Sequence, residues 1–200
     1  MPEHVLTYPD NLEPTVFTRD ELGWLPWLPP VPEGDLTERH YAGLVERGRA
    51  KSEYFRLLVH DPEVLGARTR TDKDIFYNAN GGLPRAEREL AAAAVSRHNG
   101  CIFCASVHAR FAAHYAKRPD DVDLLLKEGV EAPLPDNWSP IAQSAAALSA
   151  TPLELSEAQL TDLVNAGYDE AKVLDLIYAS SFFNWANRLM LSLGEPTPPT

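Results

Sequence analysis

The chain has 200 residues, 44% of them apolar and 24% charged, with 18 basic against 29 acidic side chains and a net charge of −11. That length fits about one domain with enough apolar material for a core, and the composition excludes a disordered chain. The acidity argues against a phosphate backbone or an anionic bilayer surface as partner, so neither nucleic acid nor membrane is expected.

Residues 1–10 lack a basic start followed by an apolar stretch, and no apolar run approaches the ~20 residues that span a bilayer. A reducing cytoplasm is the expected location. Residues 1–35 hold Pro26, Pro29, Pro30 and Pro32 beside Trp24 and Trp27. Proline at that density forbids a continuing helix. The expectation is an extended N-terminal arm over 1–35 that packs its tryptophans on the chain's own core or on a partner subunit. A helical domain follows over 36–200.

From Leu36 the pattern is helical. Leu36–Val59 carries Tyr41, Leu44, Val45, Phe55, Leu58 and Val59 at roughly helical spacing, and Asp61-Pro62 stops it. A weaker helix is expected over about Pro62–Asn80, ending at Asn80-Gly81-Gly82. Pro84 sits where a helix prefers its proline, and Pro84–His98 is rich in Glu, Arg and Ala. Asn99-Gly100 ends that helix and Cys101–Lys117 is the next. Pro119 opens a short helix to about Glu128, and Pro133 and Pro135 break the chain. Ser139–Ser149 is expected to be helical. Ser156 and Gln159 form a capping-box signature, Gly167 ends that helix, and Asp169–Leu193 is a long apolar-striped one. The tail Glu195–Thr200 is expected to be disordered. No segment alternates with period two. The expected fold is all-α, with about seven or eight helices built from antiparallel hairpins.

The two cysteines, Cys101 and Cys104, form a single Cys-x-x-Cys, too few for a disulfide scaffold. Cys104 and His108 are four apart on one predicted helix and share a face. A histidine that close takes a thiol proton or stabilises a thiolate. Both cysteines follow Gly100, where the unpaired N–H groups of a helix start also favour the anion. Glu89 and His108 lie at nearly equal distances from the turn at 98–99, so an antiparallel hairpin brings them together. A carboxylate there orients the imidazole, as the third member of a triad does. The predicted relay is Glu89 to His108 to Cys104, with Cys101 one turn away. Such a thiolate attacks a peroxide to give a sulfenic acid, and the second cysteine condenses with it to a disulfide that an external dithiol reduces.

The stretch Glu89-x11-Cys101-x2-Cys104-x3-His108 resembles the signature of alkylhydroperoxidase D (AhpD)-like proteins in the carboxymuconolactone decarboxylase-like superfamily. Leu83-Pro84-x3-Arg88-Glu89-Leu90, His98-Asn99-Gly100-Cys101, and Ala166-Gly167-Tyr168-x-Glu170 through Phe183-Asn184 to Asn187-Arg188 resemble it too. The resemblance covers roughly 40–193 and is nearest the peroxidase-related branch, whose longer N-terminal arm matches residues 1–40. It implies an all-helical fold, homo-oligomers, and peroxide reduction by the paired cysteines with a Glu/His relay. The best-known peroxidases of the family have a second histidine just before the second cysteine, where this chain has Phe103. Ile102 and Phe103 are instead candidates to shape a pocket for an apolar hydroperoxide tail.

The candidate catalytic set is Cys104 (peroxidatic), Cys101 (resolving), His108 and Glu89. The reverse cysteine assignment is open, since Cys101 lies nearer the helix start. The plainer readings are two thiols as small core fillers, or a structural zinc site on Cys101, Cys104, His108 and His98, which needs four ligands. Glu87 rivals Glu89 for the carboxylate. His114 and His40 read as surface or core residues, Phe182, Phe183 and Trp185 as core or interface, and Asn187-Arg188 as helix–helix hydrogen bonding ahead of a pocket anchor. Asp120–Asp123 reads as a solvated face at a helix start. No cofactor motif or metal site is expected. The expected partners are a hydroperoxide, a dithiol reductant protein and further copies of the chain. The rival functions are a decarboxylase-like or lactone-acting enzyme on the same fold, and a non-enzymatic thiol redox sensor.

Overall fold

The computed structural model describes residues 5–135 and 137–199. The first four residues of the expected arm and Thr200 at the end of the tail lie outside the described residues. In chain order the elements are β1 Leu22–Pro26, α1 Glu38–Leu44, α2 Glu53–Leu58, α3 Pro62–Tyr77, α4 Arg85–Asn99, α5 Ile102–Ala116, α6 Pro119–Glu128, α7 Ser139–Ser149, α8 Glu157–Asn165, α9 Glu170–Leu193 and β2 Gly194–Pro199. The fold is all-α apart from the two strands.

Helix α4 is the centre of the molecule. Every residue from Arg88 to Ser96 is buried, and α5, α7 and α9 all pack on it. Ala91 to Ala94 permit this, because methyl side chains on every face let neighbouring helices approach closely. Arg88 is buried at the start of α4 and donates to the carbonyls of Leu83 (2.5 Å), Ile75 (2.7 Å) and Asn78 (3.0 Å). One guanidinium thus satisfies three carbonyls that the turn from α3 leaves without helical partners. The α4–α5 turn is made by Gly100 at φ +80, a left-handed residue that an L side chain rarely adopts. Gly100 and Cys101 both direct their N–H groups back to the Ser96 carbonyl, Cys101 at 2.9 Å. That turn starts α5 with Cys101 as its cap and sets α5 antiparallel to α4.

Two expectations need correction. The single helix over Leu36–Val59 is two, α1 and α2, joined by a 3-10 turn over Arg47–Lys51. Val45 breaks it at φ 64, and Gly43 lies against Pro62, where a Cβ would collide with backbone. The break lets Leu44, Ala50, Val59 and Leu65 close a small core of their own. This split raises the number of α-helices among the described residues to nine.

The tail is not disordered. β2 pairs antiparallel with β1, with Trp24 opposite Pro196 and Pro26 opposite Gly194. Trp27 adds two bonds, its N–H to the Leu193 carbonyl at 2.7 Å and its indole N–H to Glu195 at 2.8 Å. Prolines fit here because a two-stranded ribbon has only edge strands, which tolerate missing N–H donors. No helix among the described residues is long and apolar enough to cross a membrane.

Candidate active site

The α4–α5 hairpin brings Glu89 and His108 together: Glu89 Oε2 lies 2.7 Å from His108 Nδ1. Glu89 is almost fully buried, at 1% exposure. Its other oxygen accepts from Arg85 Nε at 3.1 Å, one helical turn earlier on α4. A carboxylate held by Arg85 takes the Nδ1–H of His108, which leaves Nε2 as the proton-accepting nitrogen. Phe183 from α9 packs edge-on against the imidazole at 3.9 Å between ring centres, and Phe76 from α3 lies at 5.4 Å. The ring is therefore fixed by packing as well as by its hydrogen bond. Glu87, the rival carboxylate, faces Lys172 and Tyr168 instead.

His108, Glu89 and Cys104 line one cavity of about 310 Å³. Its apolar walls include Tyr54, Phe55, Phe76, Phe103, Phe111 and Phe183. Cys101 does not line it. Cys101 lies on a separate cleft of about 30 Å³, beneath Trp24 and Gly194 of the strand pair. Phe103 is a wall of both spaces, whereas Ile102 faces only the smaller one. The two thiols are free, buried and within hydrogen-bonding reach of each other.

The expected electrostatics of Cys104 are reversed. Burial pushes its thiol well above the ordinary range, and the neighbouring Cys101 adds to the rise. Asn187 and the Arg68 guanidinium pull it down without overcoming burial. Cys104 is the third residue of α5, so the helix start is present, but removal from water outweighs it. The resting side chain is a thiol that needs a base at the moment of reaction.

Several site neighbours lie outside the Glu89, Cys101, Cys104 and His108 pattern. Asn187 is fully buried on α9, donates to Ser96 Oγ at 3.1 Å, accepts from Asn99 at 3.1 Å and reaches Cys104. Its hydrogen bonds tie α9 to α4, while Arg188 is exposed. Arg68 from α3 and Tyr54 from α2 complete the wall near Cys104, and burial raises the Tyr54 hydroxyl to about 12, so it stays a donor. Arg85 was legible as an i−4 partner of Glu89. Arg68 and Tyr54 were not, because they reach the site from distant segments. His98 and His114 are exposed, and His40 closes a capping box with Thr37 at the start of α1. Among the described residues no group of three or more His, Cys, Asp or Glu is placed to hold a metal ion.

Residues 62–148 match the carboxymuconolactone decarboxylase family, a span that contains Arg68, Glu89, Cys101, Cys104 and His108. The chain superposes on the alkylhydroperoxidase AhpD core of an uncharacterized peroxidase-related protein from Ralstonia eutropha JMP134. That match has 22% identity and a TM-score of 0.71, over 84% of this chain and 90% of that one. A peroxidase-related protein from a Silicibacter species matches at 22% identity and TM-score 0.64, over 90% of this chain and 92% of that one. The debrominase Bmp8, solved in complex with 2,3,4-tribromopyrrole, matches at 16% identity and TM-score 0.66, over 92% and 91%. No curated protein is significantly similar in sequence. The chain therefore has the fold of these AhpD-like structures, and its central segment carries the carboxymuconolactone decarboxylase family match.

Proposed function

We propose that the protein is a thiol-dependent peroxidase that reduces hydroperoxides at Cys104. The observation that carries this reading is the shared cavity: Cys104 and His108 line it together, and Glu89 holds His108 from behind at 2.7 Å. On attack the Cys104 proton passes to His108 Nε2, and the sulfur bonds to the terminal peroxide oxygen. The O–O bond breaks, and the alkoxide leaves as an alcohol with the proton that His108 carried. The resulting Cys104 sulfenic acid condenses with the Cys101 thiol, forming the disulfide and releasing water. An external dithiol then reduces the disulfide, which places the cycle in a reducing compartment such as the cytoplasm. Glu89 stabilises the imidazolium that forms in the first step. Homo-oligomerisation belongs to the same reading, supported by the exposed Leu174, Tyr178 and Trp185 on α9.

The test is a pair of cysteine variants. Cys104→Ser abolishes sulfenic acid formation on adding cumene hydroperoxide, and Cys101→Ser traps it at Cys104. Sulfenate at Cys101 in the Cys104→Ser protein would reverse the assignment. Unchanged turnover of a lactone or β-keto acid in the double Cys→Ser variant would favour the decarboxylase-like reading. Disulfide formation without catalytic peroxide consumption would favour a redox sensor.

A second reading is favoured by the cavity's aromatic walls and the fold shared with a debrominase. The same dithiol replaces an aryl bromide's bromine with hydrogen: the thiols supply two electrons, the disulfide forms and HBr is released. Release of bromide from a bromopyrrole, dependent on Cys104, tests it.

A further inference from the structure

The cavity beside Cys104 has a cluster of guanidinium groups with hydrogen-bonding capacity to spare. Arg49, from the turn between α1 and α2, and Arg68 from α3 both line it. Their guanidinium groups converge on the Phe55 ring, at 4.7 Å and 5.7 Å from its centre. Arg68 is a buried cation, with its side chain 8% exposed. Its Nη1 donates to Asp72 at 3.2 Å, and Arg49 reaches the same carboxylate at 3.9 Å. Arg68 Nε and Arg49 Nη1 are both buried and have no hydrogen-bond partner among the described residues.

The charges around this cluster do not cancel. Of the groups lining the cavity there, Arg49 and Arg68 supply two positive charges and Asp72 one negative one, and Lys73 lies outside with Glu46. Glu46 lies outside the cavity and is shared between Arg49 and Lys73. Glu89, the other carboxylate lining the cavity, is occupied by Arg85 and His108. Buried guanidinium N–H groups without acceptors are costly, and a planar anion is the group that relieves them. The rest of the lining includes Phe76, Phe103, Phe111 and Phe183 together with Cys104 and His108. A volume of about 310 Å³ is small for a ligand site, where roughly 300–1,000 Å³ is usual.

We propose that this cavity binds compact apolar carboxylates, Arg68 and Arg49 holding the carboxylate while the apolar body lies against the phenylalanines, so that the preferred substrate is a short-chain or aryl hydroperoxide bearing a carboxylate. The substrate class rests on the peroxidase reading; the anion site does not. Arg68 lies within the family-matched segment and Arg49 outside it. A neutral substrate leaves Arg68 Nε and Arg49 Nη1 without an anionic acceptor.

The test titrates the fully reduced, full-length protein with 4-phenylbutanoate and with 4-phenylbutanamide, which share a shape and differ in charge. Calorimetry is expected to give the carboxylate about tenfold or greater tighter binding, the margin of a charge-assisted over a neutral hydrogen bond. The carboxylate also slows iodoacetamide labelling of Cys104, which locates it in the cavity. Arg68→Gln and Arg49→Gln each bring the carboxylate-to-amide ratio toward one. Should Arg68→Gln fail to fold, Arg49→Gln and the wild-type ratio decide the matter. Equal affinities, no binding of either probe, or binding that leaves Cys104 labelling unchanged overturns the proposal. Thiol loss with neutral cumene hydroperoxide, followed in parallel, reports on the peroxidase reading alone. Thiols that survive it while the carboxylate still binds sink that reading and leave the anion site standing.

Discussion

Glu89 and His108 face each other across the α4–α5 turn at 2.7 Å, with the carboxylate buried and the imidazole opening onto the cavity of Cys104. The pair orients a base beside a thiol that burial keeps protonated. Replacing Glu89 with Gln keeps the shape and removes the charge that favours an imidazolium. Peroxide turnover is expected to fall by about 10-fold or more, toward the roughly 10⁴-fold loss seen when a triad's orienting carboxylate becomes an amide. His108→Ala is expected to cost about 10²–10⁴-fold, the range of general acid–base catalysis. Steady-state kcat/KM for cumene hydroperoxide checks both, and circular dichroism confirms that the variants are folded.

How Cys104 responds to pH follows from its burial. The folded chain holds the thiol above its ordinary range, whereas the unfolded chain ionises it at about pH 8.5. Above that pH the unfolded state binds fewer protons, so stability falls as pH rises toward the folded value. Cys104→Ser does not titrate there and lacks this part of the alkaline decline. Urea unfolding of the two reduced proteins at pH 7.5 and pH 10 measures the difference. The wild type is expected to lose more stability than the variant between the two.

Burial affects Glu87 in the opposite pH range. Its carboxyl is raised by burial, and Oε2 has no hydrogen-bond partner among the described residues. Folding therefore favours the protonated form, and stability attributable to Glu87 falls as pH rises through the carboxylate range. Glu87→Gln is expected to be more stable than wild type at pH 7, with the gain shrinking as pH falls from the raised folded value toward about 4.3 and absent below it. Thermal melts across pH 3.5–7 follow that crossover.

The alanines of α4 read in sequence only as good helix formers. In the structure Ala91, Ala92, Ala93 and Ala94 are all at 0% exposure, with helices on every side. Ala93→Leu is expected to destabilise the fold by about 1–3 kcal/mol, the usual cost of overpacking. Denaturant unfolding gives the figure.

The strand pair is predicted to shield Cys101. A Cβ at Gly194 would collide with the Leu25 carbonyl and with the indole of Trp24, which lines the Cys101 cleft. Gly194→Ala is therefore expected to loosen the β1–β2 ribbon and speed alkylation of Cys101 severalfold. Mass-spectrometric labelling resolves the two thiols.

Local chemistry made most helix boundaries legible. Pro119, Ser156 with Gln159, and Gly167 each act within a turn of their own position, and α6 and α8 fall where those signals put them. The division of α1 from α2 depends on the contact of Gly43 with Pro62, and the ordering of the tail depends on β1 at the other end of the chain. Neither leaves a periodic trace. The approach of Glu89 to His108 was readable because a hairpin is symmetric about its turn. The burial of Cys104, and the convergence of Arg49, Tyr54 and Arg68 on it, were not, since three separate segments build that wall.

The most direct measurement adds one equivalent of cumene hydroperoxide to the fully reduced protein and counts free thiols over time. The account predicts rapid loss of both thiols, with an intramolecular Cys101–Cys104 disulfide in the peptide map. Two thiols that survive the peroxide would contradict it.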